Sequence, residues 1–277
     1  KLKVTSTTGM IGDLVVNIGG EHVESESLMK PGIDPHLYKA TQGDIGKLER
    51  ADVIFYNGLN LEGKMVEIFE QMEKNKPTVP VTKDLDEKEL LASADYPDQF
   101  DPHIWFDVKK WITAAEVVRD ELIKADQTNA DSYRKNAESY IKEMEEIDAY
   151  AKKQLNSIPK DKRILVTAHD AFGYFGEAYD LEVVGLQGIS TSSEAGSKDV
   201  TELRDFLVEK EIKAVFIESS VPKNTIEAVI EGAKEKGHTV TIGGELYSDA
   251  MGNEGTEEGT YIGMVKHNVD TVTGALK

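Results

Sequence analysis

Six histidines occur in the 277 residues, at positions 22, 36, 103, 169, 238 and 267. Two of them close the tripeptide Asp-Pro-His, in "PGIDPHLYKATQGD" and again in "DQFDPHIWFD", and a third follows an apolar run in "RILVTAHDAFGYF". Proline just before His36 and His103 fixes the local backbone, which helps hold each imidazole in one direction. His169 falls at the C-terminal end of a strand pattern, where open α/β sheets present their ligands. Asp249 stands beyond the last strand pattern, in the glycine-flanked "GGELYSDAMG". Three neutral imidazoles and a carboxylate form a competent donor set for a divalent transition ion. No two of the four are close in sequence, so spacing alone leaves separate structural roles open. His22 (in a turn), His238 (before a strand) and His267 (among polar neighbours of a last helix) read as surface or boundary histidines.

The elements that must position these groups alternate. Strand patterns at 2–6, 23–29, 52–57 and 78–81 interleave with helical ones at 10–20, 41–51, 61–73 and 107–125. The second half repeats the habit, with strands at 163–168, 181–186, 213–219 and 238–244 and helices at 171–179, 198–210, 223–236 and 257–276. Such alternation argues for βαβ units and parallel sheets, an α/β fold. Between the halves, Tyr133, Ala137, Tyr140, Met144, Ile147 and Ala151 form one apolar stripe at helical spacing. A helix of about 28 residues spans roughly 40 Å. No second segment matches the stripe, which argues against a coiled-coil partner. The expected organisation is an N-terminal lobe over 1–127, a stiff linker helix over 128–158 and a C-terminal lobe over 159–277.

Composition narrows the chemistry. A formal net charge of −19 repels phosphate backbones and anionic lipid, so no nucleic acid is expected as a partner. The absence of cysteine excludes disulfides, thiolate metal sites and cysteine nucleophiles. No apolar run approaches the roughly 18 residues that a membrane-spanning helix needs. The chain opens on "KLKVTSTTG", already a strand pattern, and reads as a mature or trimmed form.

Taken together, "PGIDPHLYKATQGD", "FDPHIWFD", "ILVTAHDAFGYF", "VFIESS" and "LYSDAMG" resemble the TroA-like metal-binding receptors of ABC importers for manganese and zinc. The resemblance covers essentially the whole chain, with the motifs in the family's order and at similar separations. Within the family, the chain looks most like the manganese-binding lipoproteins of Gram-positive bacilli. The resemblance implies two α/β lobes joined by one long rigid helix, with a single ion held in the cleft between them. Carried over residue by residue, it makes His36 and His103 the ligands from the N-terminal lobe and His169 and Asp249 those from the C-terminal lobe. It also implies a monomeric extracytoplasmic receptor, anchored to the cell membrane by a lipid upstream of Lys1, that delivers its ion to the membrane subunits of an ABC permease.

His169 complicates the choice of ion. Several manganese receptors of the family carry glutamate there, whereas zinc receptors often carry histidine, and nitrogen donors favour zinc. Zinc-specific members usually have a long acidic, histidine-rich loop after the first ligand, and this chain has only "LYKATQGDIGK". An aspartate binding through both oxygens suits the larger manganese ion. Mn2+ is therefore the expected ion, with Zn2+ the alternative.

Ligating imidazoles usually donate their other N–H to a carboxylate or carbonyl. Glu218 in "VFIESS" is a candidate for that task, as are Asp34, Asp101 and Asp170 beside the histidines, although a local Asx turn explains Asp34 and Asp101 equally well. Trp105, Phe106 and Phe172 read as core that also dries the site. The same His3Asp set serves iron and manganese superoxide dismutases, but their C-terminal Asp-x-Trp-x-x-His signature is missing, since Trp105 and Trp111 both lie in the first half. No His-Glu-x-x-His, Gly-x-Ser-x-Gly or P-loop occurs. Capture without catalysis is expected, with a small motion on binding and an affinity that falls below about pH 6 as the imidazoles protonate. No feature of the sequence supports an adhesin role.

Overall fold

The computed structural model describes residues 1–94 and 96–277. The first half runs β1 (Leu2–Ser6), α1 (Gly9–Gly19), β2 (Val23–Ser27), α2 (Gln42–Arg50), β3 (Val53–Tyr56), α3 (Val66–Glu73), β4 (Thr78–Pro80) and α4 (Val108–Ala125). The helix α5 (Ala130–Asn156) follows. The second half runs β5 (Ile164–His169), α6 (Gly173–Tyr179), β6 (Glu182–Gln187), α7 (Ser197–Glu209), β7 (Ala214–Glu218), α8 (Asn224–Glu235), β8 (Thr241–Leu246) and α9 (Tyr261–Leu276). The strands form two parallel sheets, ordered β2-β1-β3-β4 and β6-β5-β7-β8. In each sheet the winding reverses between the two central strands. The crevice beyond their C-terminal ends is where such sheets bind ligands.

Local chemistry explains most boundaries. Val53, Ile54 and Phe55 of β3 are all buried, as a central parallel strand requires. The helix α2 starts where Thr41 and Asp44 exchange side-chain and backbone hydrogen bonds in a capping box. Three expected boundaries move by three residues or more. The pattern over 61–73 becomes helical only at Val66, because Gly58, Leu59 and Asn60 all adopt positive φ (84°, 54° and 61°) and throw the chain into a tight turn. The strand expected over 238–244 begins at Thr241, because the His238 N–H still bonds Ala233 O behind the left-handed Gly237, closing α8. The last helix begins at Tyr261, where the Thr260 hydroxyl caps Gly263 N–H and leaves 257–259 as a separate 3-10 turn.

The stripe from Tyr133 to Ala151 is buried along α5. Asn136 donates to Ile18 O and Tyr140 to Asp13, both on or beside α1, while Tyr179 of α6 reaches Asp148. The helix thus grips both halves. A second connection was not legible in the sequence: one continuous apolar core includes Val4, Trp105 and Trp111 from the first half with Phe172, Phe175 and Tyr261 from the second. Two α/β lobes fused through a shared core resist hinge opening more than a helix alone does.

Candidate metal centre

The fold brings His36, His103, His169 and Asp249 into one group whose candidate donor atoms all lie within 4.8 Å of one another. His36 comes from the loop after β2, His103 from the loop before α4, His169 from the last position of β5 and Asp249 from the loop after β8. All four are buried, between 0% and 3% exposed. His36 Nε2 lies 3.2 Å from His103 Nε2 and 2.9 Å from Asp249 Oδ2. The other Asp249 oxygen is 3.0 Å from His103 Nε2, and Oδ2 is 3.2 Å from His169 Nε2. Donors about 2.1 Å from one ion in a tetrahedral shell stand roughly 3.4 Å apart, so these separations suit a shared ion. Both carboxylate oxygens face imidazoles. Neither of them, nor His169 Nε2, makes a well-aligned hydrogen bond despite complete burial. Buried polar atoms left in that state are costly unless a ligand claims them.

Each half of the group is held differently. In the second lobe, Glu218 at the end of β7 takes the His169 backbone N–H at 2.7 Å and faces its ring Nδ1 at 2.5 Å. β5 and β7 are the central strands of their sheet, so the pair sits at the reversal point. Gly185 on β6 permits this: a Cβ there would lie 2.4 Å from the Asp170 nitrogen, directly after His169. Asp249 is placed by its N–H to Ser220 Oγ and by the adjacent Ser248, whose hydroxyl also meets Ser220.

In the first lobe, Asp101 Oδ1 accepts both the His103 backbone N–H at 3.0 Å and its Nδ1–H at 2.7 Å. The Asx turn and the imidazole partner, alternatives in sequence, are thus the same contact. Asp34 builds the equivalent turn by accepting the His36 N–H at 2.9 Å, but its other oxygen receives the Thr191 hydroxyl at 2.5 Å, from across the cleft. Trp105, Phe106 and Phe172 are buried beside the site, and the Trp105 ring stands edge-on to His103 at 5.4 Å. The Trp105 indole N–H donates to Ser248 O, a direct tie between the two halves. Of the other histidines, His238 reaches Ile212 O and His267 reaches Glu245 O, both away from the group.

Several supporting residues escaped the sequence reading. Glu62, fully buried, accepts from Thr7 Oγ1, Asn57 N–H and Gly58 N–H, and Asn57 Nδ2 donates to Pro102 O in the His103 loop. Thr7 follows β1 and Asn57 follows β3, so Glu62 occupies the reversal point of the first sheet much as Glu218 does in the second. Its only signal was the turn sequence "NGLN" ahead of an acidic residue in an apolar setting. Tyr174 of α6 donates to Asp101 O and accepts from Leu91 N–H, clamping the same loop from the second lobe.

The electrostatics follow from this geometry. Burial pushes the His103 imidazole down, but Asp249 and Asp101 overcome it and carry it to about 9. Burial acts the same way on His169, where Glu218 and Asp249 hold the ring well above its ordinary value. Burial raises Asp249, yet His103, His36 and His169 keep it well below the usual carboxylate range. The carboxylates beside His103 and His169 thus hold both rings toward the protonated form.

A family model described as "ZnuA: Zinc-uptake complex component A periplasmic" matches residues 4–275. The chain is 52% identical to the manganese-binding lipoprotein MntA of Bacillus subtilis over 277 residues, covering 100% of this chain and 90% of that protein. It is 46% identical to the zinc-binding protein TroA of Treponema pallidum over 273 residues, covering 99% of this chain and 88% of that protein. The solved structure of the periplasmic zinc-binding protein TroA superposes with a TM-score of 0.97 at 46% identity, covering 100% and 99% of the two chains.

Proposed function

The chain belongs to the ZnuA family of metal-uptake components, and from that premise we propose that it captures one Mn2+ ion and delivers it to the membrane subunits of an ABC permease. His36, His103, His169 and Asp249 are the proposed ligands. The observation that carries the reading is their convergence from four separate segments onto one buried point, with both Asp249 oxygens turned inward. Manganese is supported by that two-oxygen carboxylate and by the manganese-binding relative MntA. Zinc is the second reading, favoured by three nitrogen donors and by the zinc-binding relative TroA.

Capture rather than turnover is the proposed activity. A site with all four residues buried leaves little room for a reacting substrate beside the ion, and the deep burial suits retention. The proposed division places lobes at 1–127 and 159–277 with the linker helix between, each lobe contributing two donors. The protein is proposed to work as a monomer outside the cytoplasm, lipid-anchored upstream of Lys1 like the relatives named as lipoproteins, and without nucleic acid as a partner. No helix of the described residues is long and apolar enough to cross a membrane.

Metal analysis of the protein from its native host, followed by equilibrium dialysis with both ions in competition, tests the proposal. One Mn2+ per chain is the expected native content. One Zn2+ per chain moves the assignment to the second reading. No retained ion overturns both.

A further inference from the structure

The two Asp-Pro-His loops meet the second lobe in different ways. The His103 loop is clamped by Tyr174 of α6 and backed by core aromatics. The His36 loop meets a connecting segment instead, residues 188–196 between β6 and α7. Thr191 on this segment is only 6% exposed and donates its hydroxyl to Asp34, two residues before His36. Ser193, farther along, lies 3.4 Å from the Tyr96 hydroxyl of the first lobe.

The segment is also tied down on its own side. Gln187, the last residue of β6 and the register partner of His169, donates from one side-chain nitrogen to Thr191 O at 2.7 Å and Ser193 O at 2.8 Å. At the far end, Gly196 N–H bonds the Asp199 carboxylate. A continuous path of contacts therefore runs from His169 through Gln187, Thr191 and Asp34 to His36. A cleft of about 330 Å3 opens along this path, bordered by Asp34, Leu37, Gln187, Thr191 and Glu194. A second cleft of about 460 Å3, lined in part by Thr8 and Gly9, also borders Asp249.

We propose that residues 188–196 form a strap over the metal cleft, that Thr191 clasped to Asp34 sets the rate at which the ion passes, and that Gln187 positions the strap for that clasp. The inference rests on the metal-receptor reading but concerns the rate of exchange rather than the identity of the site. A hydroxyl bonded to a carboxylate is a charge-assisted contact, strong enough to slow an opening step yet confined to one bond. Thr191 and Gln187 are positioning residues. Neither touches the ion, so their loss alters passage more than affinity.

The test loads the full chain with Mn2+ and follows release into excess chelator by stopped flow, using Trp105 beside His103 as the fluorescence reporter. Thr191→Val keeps the side-chain shape and removes the hydroxyl. Release about tenfold faster is expected, with association also faster and equilibrium affinity changed by less than about threefold. Gln187→Ala is expected to act in the same direction, and Thr191→Ser to restore the parent rate. The Mn2+ electron paramagnetic resonance spectrum should match the parent in all three, and hydrogen exchange in Thr191→Val should rise over 188–196 alone. Parent-like release from both Thr191→Val and Gln187→Ala overturns the strap and points to passage by the cleft past Gly9. An altered resonance spectrum also overturns it, by showing that the substitution acts on the donors. Failure of the metal-receptor reading is distinguishable, because the parent chain itself then retains no Mn2+ at equilibrium.

Discussion

The tripeptide Asp-Pro-His appears twice, and the two copies build the same turn while using their aspartates differently. Asp101 spends one oxygen on both the backbone and the ring of His103, which orients the imidazole and raises its basicity. Asp34 holds only the backbone of His36 and turns its second oxygen to Thr191 on the opposite lobe. One loop is an internal bracket for its histidine, and the other is half of a bridge. Identical local sequence sets the turn, while the surroundings decide what the free carboxylate oxygen meets. The difference teaches that one aspartate serves the ring of its own histidine and the other serves a contact across the cleft.

The largest effect should come from removing a donor on either loop. His36→Ala and His103→Ala are each expected to lower Mn2+ affinity more than about 100-fold, measured by equilibrium dialysis, with the apolar core still folded by circular dichroism. His169→Ala and Asp249→Ala should match them. If either loop histidine proves dispensable, the two loops do not share an ion and the comparison collapses.

Removing the brackets should separate the copies. Asp101→Ala is expected to cost about 10- to 100-fold in affinity, the usual range for a group that orients a ligating histidine. Equal losses from Asp34→Ala would erase the distinction between bracket and bridge.

Acidity offers a further discriminator. His103 is carried to about 9 in the folded protein against an ordinary 6.5. Its contribution to the stability of the metal-free chain is therefore fully present below about 6.5 and lost as pH rises through about 9. Metal binding reverses the preference, since the ion needs the free nitrogen. Affinity should climb up to about tenfold per pH unit for each proton displaced over that window, and the Mn2+-induced rise in Tm should grow with pH. Asp101→Asn removes one of the charges that holds the proton, so the window should shift to lower pH. A thermal-shift series across pH, with and without Mn2+, reads both effects.

The smallest expected effect is that of Asp34→Ala on equilibrium affinity, only a few-fold, because the carboxylate acts on a loop backbone and a cross-cleft contact rather than on the ring. Its release kinetics, not its affinity, should resemble those of Thr191→Val.

Much of this was readable in order along the chain. The alternation of strand and helix and the stripe of α5 depend on local spacing, whereas the four candidate donors were joined into one set by the family resemblance and not by spacing. Glu218 was readable too, because it ends a buried strand where few carboxylates belong. Glu62 was not, since an acidic residue near a helix start usually faces water. Only the left-handed turn at Gly58, Leu59 and Asn60 directs it under the first sheet.

By itself, then, the sequence determined the two α/β halves and the helix between them, and its family resemblance supplied the four candidate donors. Tertiary structure alone decided that the halves share one core, that Asp101 and Asp34 have unlike tasks, and that Thr191 closes the path from His169 to His36. The physical reason is one of range. Propensities, caps and periodic burial act over a few residues and leave a mark in the order of amino acids. A hydrogen bond between positions 34 and 191 depends on the packing of everything between them.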